Sequence, residues 1–207
     1  MAKSTILKQL ANNEIDLEVV LSRLLIIASD INNQQLYRWA ESELEGYISN
    51  DDVPAYRDLG VGRIVYSGIN GGFKVKNLPM PITSFSPEER TIISRSPVKD
   101  SISAIKNYAN SDRDDSIGMD LSGLAPLILE RHGIQCMSIQ KLFSYNDFVD
   151  LLGRIRAKLL SVLISLDKEF GNLDSLDIDA SKKSSEKLKE IENTVRGIIF
   201  SDNHREY

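Results

Sequence analysis

Two histidines and one cysteine are all that these 207 residues offer to imidazole or thiolate chemistry. Hydrolytic triads and dyads set a serine or cysteine beside a histidine base, and neither His132 nor His204 stands in such a motif. His132 instead precedes Gly133 at the expected end of a helix, where the dipole favours a cation. The lone Cys136 cannot form an internal disulfide and reads as a small buried hydrophobe in a strand. A surplus of positive charge is also missing: 25 Lys and Arg against 30 Asp and Glu leave a net charge of −5. That balance excludes a broadly cationic nucleic-acid-binding surface. Long apolar runs are absent as well. Leu24-Leu25-Ile26-Ile27-Ala28 is far shorter than the ~20 residues of a spanning helix, and Met1-Ala2-Lys3-Ser4 opens no signal-like apolar core. The expected setting is a reducing cytoplasm, away from membranes.

What is present is enough apolar residue, 42% of the chain, to bury a sizeable core. Leu17, Val20, Leu21, Leu24, Ala28 and Ile31 recur at helical spacing behind Asp16, an expected N-cap. A second helix carries Leu36, Trp39 or Ala40, Leu44 and Tyr47 inward and stops at Gly46. Ser4 to Asn12 is expected to add a short first helix. Val61 to Tyr66 and Phe73 to Leu78 read as a β-hairpin, with Asn70-Gly71 tolerating positive φ, and Pro79 and Pro81 end its pairing. Ser86-Pro87-Glu88-Glu89 is a helix start. Pro97 to Asn110 and Leu124 to Glu130 read as helices, and Gln135 to Phe143 as a strand able to join the hairpin. From Asn146 to Phe170, Phe148, Leu152, Ile155, Leu159, Val162 and Leu166 define the clearest amphipathic helix, stopped by Gly171. The fold class is therefore α+β, mainly α: a helical bundle with a small antiparallel hairpin or three-stranded sheet. Residues 1–171 form the expected domain, with a β insertion at about 56–82, and 172–207 form a linker and a charged C-terminal helix. The apolar stripe of that helix, Leu188, Ile191 and Val195, is too narrow to stand alone and needs a partner surface. A neighbouring subunit is the partner expected here.

Chemistry-bearing residues are few. Asp112, Asp114, Asp115 and Asp120 form the densest acidic cluster and the best candidates for Mg²⁺, which needs hard oxygen ligands. The segment nevertheless lacks the glycine and terminal glutamate of an EF-hand loop, and a solvated loop explains it without metal. Gly68 to Gly72 lacks the Lys-Ser/Thr of a phosphate-binding loop, and a hairpin turn accounts for it. Arg154, Arg156 and Lys158, with Lys182, Lys183, Lys187 and Lys189, are the best basic candidates for nucleic acid; each set reads better as a solvated helix face. No cofactor and no catalytic residue is expected.

The segment richest in information is Leu36-Tyr37-Arg38-Trp39-Ala40-Glu41-Ser42-Glu43-Leu44-Glu45-Gly46-Tyr47, followed by Val53-Pro54-Ala55-Tyr56-Arg57. Its only tryptophan, paired acids and turn residues describe a packed corner, with Glu41 and Glu45 on a shared face beside Arg38. This segment resembles the AbiTii domain of bacterial abortive-infection systems. The similarity extends through Ile6 to Leu10, Ile15 to Leu17, Gly62 and Pro79 to Ile82, well over the first 85 residues and loosely over about 180. Trp39, Glu41, Glu45, Gly46, Tyr47, Pro54, Tyr56 and Arg57 carry the motif. The resemblance implies a mainly helical domain in antiphage defence and brings no established active site; Ile198-Ile199-Phe200 is similar to the short β ending of some members. The function expected is a non-enzymatic interaction protein that self-associates and contacts another defence or phage protein. The rivals are a metal-dependent nuclease or phosphodiesterase-type toxin using residues 112–120, and a nucleic-acid sensor.

Overall fold

The structure, a computed structural model, describes residues 3–49, 53–111, 116–176 and 178–201. Among them lie eight α-helices and one four-stranded antiparallel sheet, so the chain is α+β and mainly α. No helix of the described residues is long and apolar enough to cross a membrane. The chain divides into two units: Met1–Arg57 with Lys99–Asn107 and Asp150–Tyr207, and Asp58–Val98 with Tyr108–Val149.

The first unit is helical. Helices α1 (Thr5–Ala11), α2 (Leu17–Asp30) and α3 (Gln34–Glu45) open the chain. The apolar stripe of α2 is buried, and Asn33 caps α3 by accepting the Leu36 N–H at 2.9 Å. Asp16 does sit at the N-cap of α2, but its carboxylate makes no cap bond; it receives Lys106 Nζ at 2.9 Å, which also reaches Glu18 at 3.0 Å. Lys106 lies on α5 (Ile102–Ala109), where Ile102 and Ile105 are buried. Helix α7 (Tyr145–Phe170) places Leu151, Ile155, Leu159, Val162, Leu163 and Leu166 out of contact with water. That stripe is core. Helix α8 (Ser185–Phe200) packs on α3 and buries Ile191, Val195 and Ile199 within the chain itself, with Leu188 half-buried. Ile198-Ile199-Phe200 is thus the last turn of a helix; the β ending expected there is absent, because Ile199 continues the inward stripe four residues beyond Val195.

The second unit is built on a sheet of order β2-β1-β4-β3. Its strands are β1 (Arg63–Asn70), β2 (Phe73–Pro79), β3 (Ser116–Asp120) and β4 (Gln135–Ser144). The fourth strand, β3, exceeds the three expected. Asn70 pairs with Phe73, so the two-residue turn is Gly71-Gly72, both at positive φ (57° and 85°); the turn lies one residue beyond the Asn70-Gly71 predicted. Helices α4 (Pro87–Ile93) and α6 (Ala125–His132) complete the unit. Ile64, Tyr66, Met80, Phe85, Ile93, Ile128 and Ile139 form its core, with Cys136 partly buried against them. Ser86 and Glu89 cap α4 reciprocally, and Arg131 grips Glu89 with two bonds of 2.9 and 3.1 Å. On β4 the buried Lys141 directs Nζ at the Arg95 carbonyl and Ser96 Oγ, both 2.7 Å away, and burial lowers its pKa.

Candidate functional site

Helix α3 has two chemically distinct faces. Leu36, Ala40 and Glu43, continued past the helix end by Tyr47, follow one another at four, three and four residues and are all buried. Gln34, Arg38, Glu41 and Glu45 follow the same spacing on the opposite side and are exposed. The acid on the inner face is therefore Glu43, while the expected Leu44 is only half-buried.

Glu43 and Arg57 are both fully buried, and their side chains meet in a two-point grip. Arg57 Nε donates to Oε1 and Nη2 to Oε2, each at 3.1 Å. The hydroxyls of Tyr47 and Tyr56 both donate to Oε1 at 2.6 Å. Trp39 Nε1 in turn donates to the Tyr56 hydroxyl at 2.8 Å, and Arg57 Nη1 to the Asp100 carbonyl at 2.8 Å. The guanidinium lies 4.9 Å from the centre of the Tyr47 ring, and Lys158 Nζ 5.8 Å from that of Tyr56. A charge taken out of water is tolerable only when its partners replace the lost solvation, and here three donors converge on a single carboxylate oxygen. Burial first, then the neighbouring Glu43 charge, pushes the Tyr47 and Tyr56 phenols well above their usual range. Both hydroxyls stay protonated and serve as donors. Pro54 is buried beside them, its carbonyl accepting the Arg57 N–H at 2.9 Å. Of the motif residues, Trp39, Tyr47, Tyr56 and Arg57 thus join Glu43 in one internal network that leaves each polar atom directed at another atom of the network or at backbone.

Beside this cluster is a groove of about 750 Å³ between α3 and α8, lined by Gln34, Arg38, Glu41 and Glu45 of α3, by Glu192 and Phe200 of α8 and by Ile48. Ile48 is 96% exposed, and Phe200 is exposed as well. No ion pair joins Arg38, Glu41, Glu45 or Glu192 to any described residue. The pairing of Glu41 and Glu45 with Arg38 expected from the helix spacing is not formed.

The remaining candidates lie apart. Asp112, Asp114 and Asp115 are outside the described residues, as is His204. Asp120 ends β3, where Ser122 N and Oγ donate to it at 2.9 and 2.6 Å and hold its pKa down. Among the described residues no group of three or more His, Cys, Asp or Glu is arranged to hold a metal ion. His132 Nε2 lies 2.9 Å from the Ser84 carbonyl, a geometry that asks for a proton on that nitrogen. Burial raises the Cys136 thiol. Two of the basic candidates of α7 are bonded within the chain: Arg156 donates to the Leu10 carbonyl at 3.3 Å, and Lys158 is buried with Nζ 2.8 Å from the Ile198 carbonyl and 3.0 Å from Ser201 Oγ, closing the end of α8. Lys183 and Lys187 pair with Glu169.

Glu43 and the capping role of Lys158 were not among the sequence candidates. The signal for Glu43 was its position, three residues after Ala40 and four before Tyr47 on the apolar side. The AbiTii family model matches residues 4–191 of the chain. No curated protein and no solved structure matches it.

Proposed function

The chain belongs to the AbiTii family, a family of abortive-infection defence, and we propose that it acts there as a non-enzymatic interaction protein, through protein contacts and self-association. One observation carries this reading. Trp39, Glu43, Tyr47, Tyr56 and Arg57 are bonded to one another in the interior, whereas Arg38, Glu41, Glu45 and Glu192, which no ion pair joins to any described residue, line an open groove. The bonded groups are also buried away from solvent, while unpaired charges at a groove are what a partner protein uses for orientation and selectivity.

The test is protection from phage in cells expressing the chain. Glu41→Lys with Glu45→Lys is expected to abolish protection while circular dichroism shows an intact fold. Asp112→Ala, Asp114→Ala, Asp115→Ala and Asp120→Ala combined are expected to leave protection in place. The opposite pair of results would replace this reading with a metal-dependent enzyme centred on residues 112–120.

A further inference from the structure

We infer that the groove between α3 and α8 of one copy receives the β1–β2 hairpin of another. The inference rests on the reading of the chain as a self-associating interaction protein and names the surfaces involved. The first argument is local electrostatics. Glu41 and Glu45 repel one another at a spacing of four and sit in the C-terminal half of α3, the negative end of its dipole, with no basic residue in the last turn. They work against the helix that carries them. Charges placed against local stability mark function more often than fold, and here they share the groove with Glu192, opposed by Arg38 alone.

The second argument is the complementary surface. From Leu59 to Ser86 the chain has Arg63, Lys74 and Lys76 and not one acidic residue, although the whole protein carries −5. Strand β2 is an edge of the sheet, exposed at every position but Val75. Phe73, which opens it directly after the Gly71-Gly72 turn, is 76% exposed. The hairpin therefore offers two lysines and an aromatic ring, and the groove offers three carboxylates with Ile48 and Phe200. Apolar contact supplies affinity and the opposed charges supply register. Because the two surfaces differ, the contact is either made twice about a two-fold axis or continued head-to-tail. Lysines on an edge strand also discourage strand-to-strand aggregation, a role that needs no groove.

The experiment is light scattering after size-exclusion chromatography on the full chain and two charge-reversed variants, Glu41→Lys/Glu45→Lys and Lys74→Glu/Lys76→Glu. Wild type is expected to exceed the 23.2 kDa of one chain, and each variant alone to elute as a monomer. An equimolar mixture sets each groove against a hairpin of opposite charge, so it is expected to form a complex that again exceeds that mass. This complex should weaken about tenfold from ~0.1 M to ~1 M salt, as the screening length falls from about 10 to about 3 Å. Combining all four substitutions in one chain restores complementary charge and should restore assembly. A wild-type assembly that survives both reversals overturns the groove–hairpin contact and leaves self-association standing. A wild type that stays monomeric at every concentration overturns both.

Discussion

Glu43 shows how much a single residue can depend on its surroundings. Its carboxylate and the Arg57 guanidinium are both fully buried, so removing one partner strands the other's charge. Arg57→Ala is expected to cost about 3–5 kcal/mol, whereas Glu43→Leu combined with Arg57→Met should cost less than the two single losses together, since each charge goes with its partner and only the Tyr47 and Tyr56 hydroxyls and the Asp100 carbonyl lose theirs. Urea unfolding followed by the fluorescence of Trp39, the only tryptophan, measures both. Tyr56→Phe removes the acceptor of Trp39 Nε1 and one donor to Glu43; a loss of about 1–3 kcal/mol is expected in the same assay. A double variant as unstable as the two single losses added together would contradict this account of the pair. The sequence marks out the segment through Trp39, Gly46, Tyr47, Tyr56 and Arg57 but points to Glu41 and Glu45 as its acids. Three glutamates alternate in five residues, and composition does not tell which of them faces in. Only the phase of the helix against Leu36 and Ala40 does so.

Elements were legible where their own residues determine them. The capping box of α4, the hairpin and the long stripe of α7 all answer to local chemistry. Strand β3 was not. Ser116-Ile117-Gly118-Met119-Asp120 has weak strand character of its own, and its conformation is imposed by pairing along β4, with Ile117 opposite Phe143 and Met119 opposite Lys141. At Gly68 the sheet allows no side chain: an added Cβ would lie 2.1 Å from the Gln135 carbonyl oxygen. Gly68→Ala must therefore part β1 from β4, and hydrogen exchange is expected to quicken along both strands before it does in the helices of the first unit. Uniform exchange would contradict that. Helix α8 was legible as an amphipathic stripe in need of a surface, but not which surface. Within the chain, α3 and Lys158 supply it. Lys158→Met deprives the Ile198 carbonyl of its donor, so the last turn of α8 should lose exchange protection ahead of α7.

For the molecule as a whole, the decisive variable is pH, because carboxylates tie distant stretches of each unit together. In the first unit Asp174 accepts the Thr5 and Ile6 N–H groups at 2.7 and 3.0 Å, so the segment after α7 caps the first helix. Asp167 holds Ser4 and Lys3. Burial alone would raise both pKa values, but these hydrogen bonds outweigh it and leave both lowered. In the second unit Arg131, then the Ser86 N–H, lowers Glu89. A carboxylate with a depressed folded pKa binds fewer protons folded than unfolded, so its stabilisation is complete above the unfolded value of about 4 and disappears as pH falls through the folded one. Thermal stability is expected to be flat through neutral pH and to fall steeply in the acid range. Asp174→Asn cannot titrate and retains at most part of the cap, so it should lower the melting temperature at pH 7 and make the acid decline shallower. In wild-type protein at low pH, the Thr5 and Ile6 amides should exchange before those of α7, since their acceptor is the group being protonated. An acid limb of unchanged slope in Asp174→Asn would mean that another carboxylate governs it, and the same comparison with Glu89→Gln would then assign the loss to the second unit.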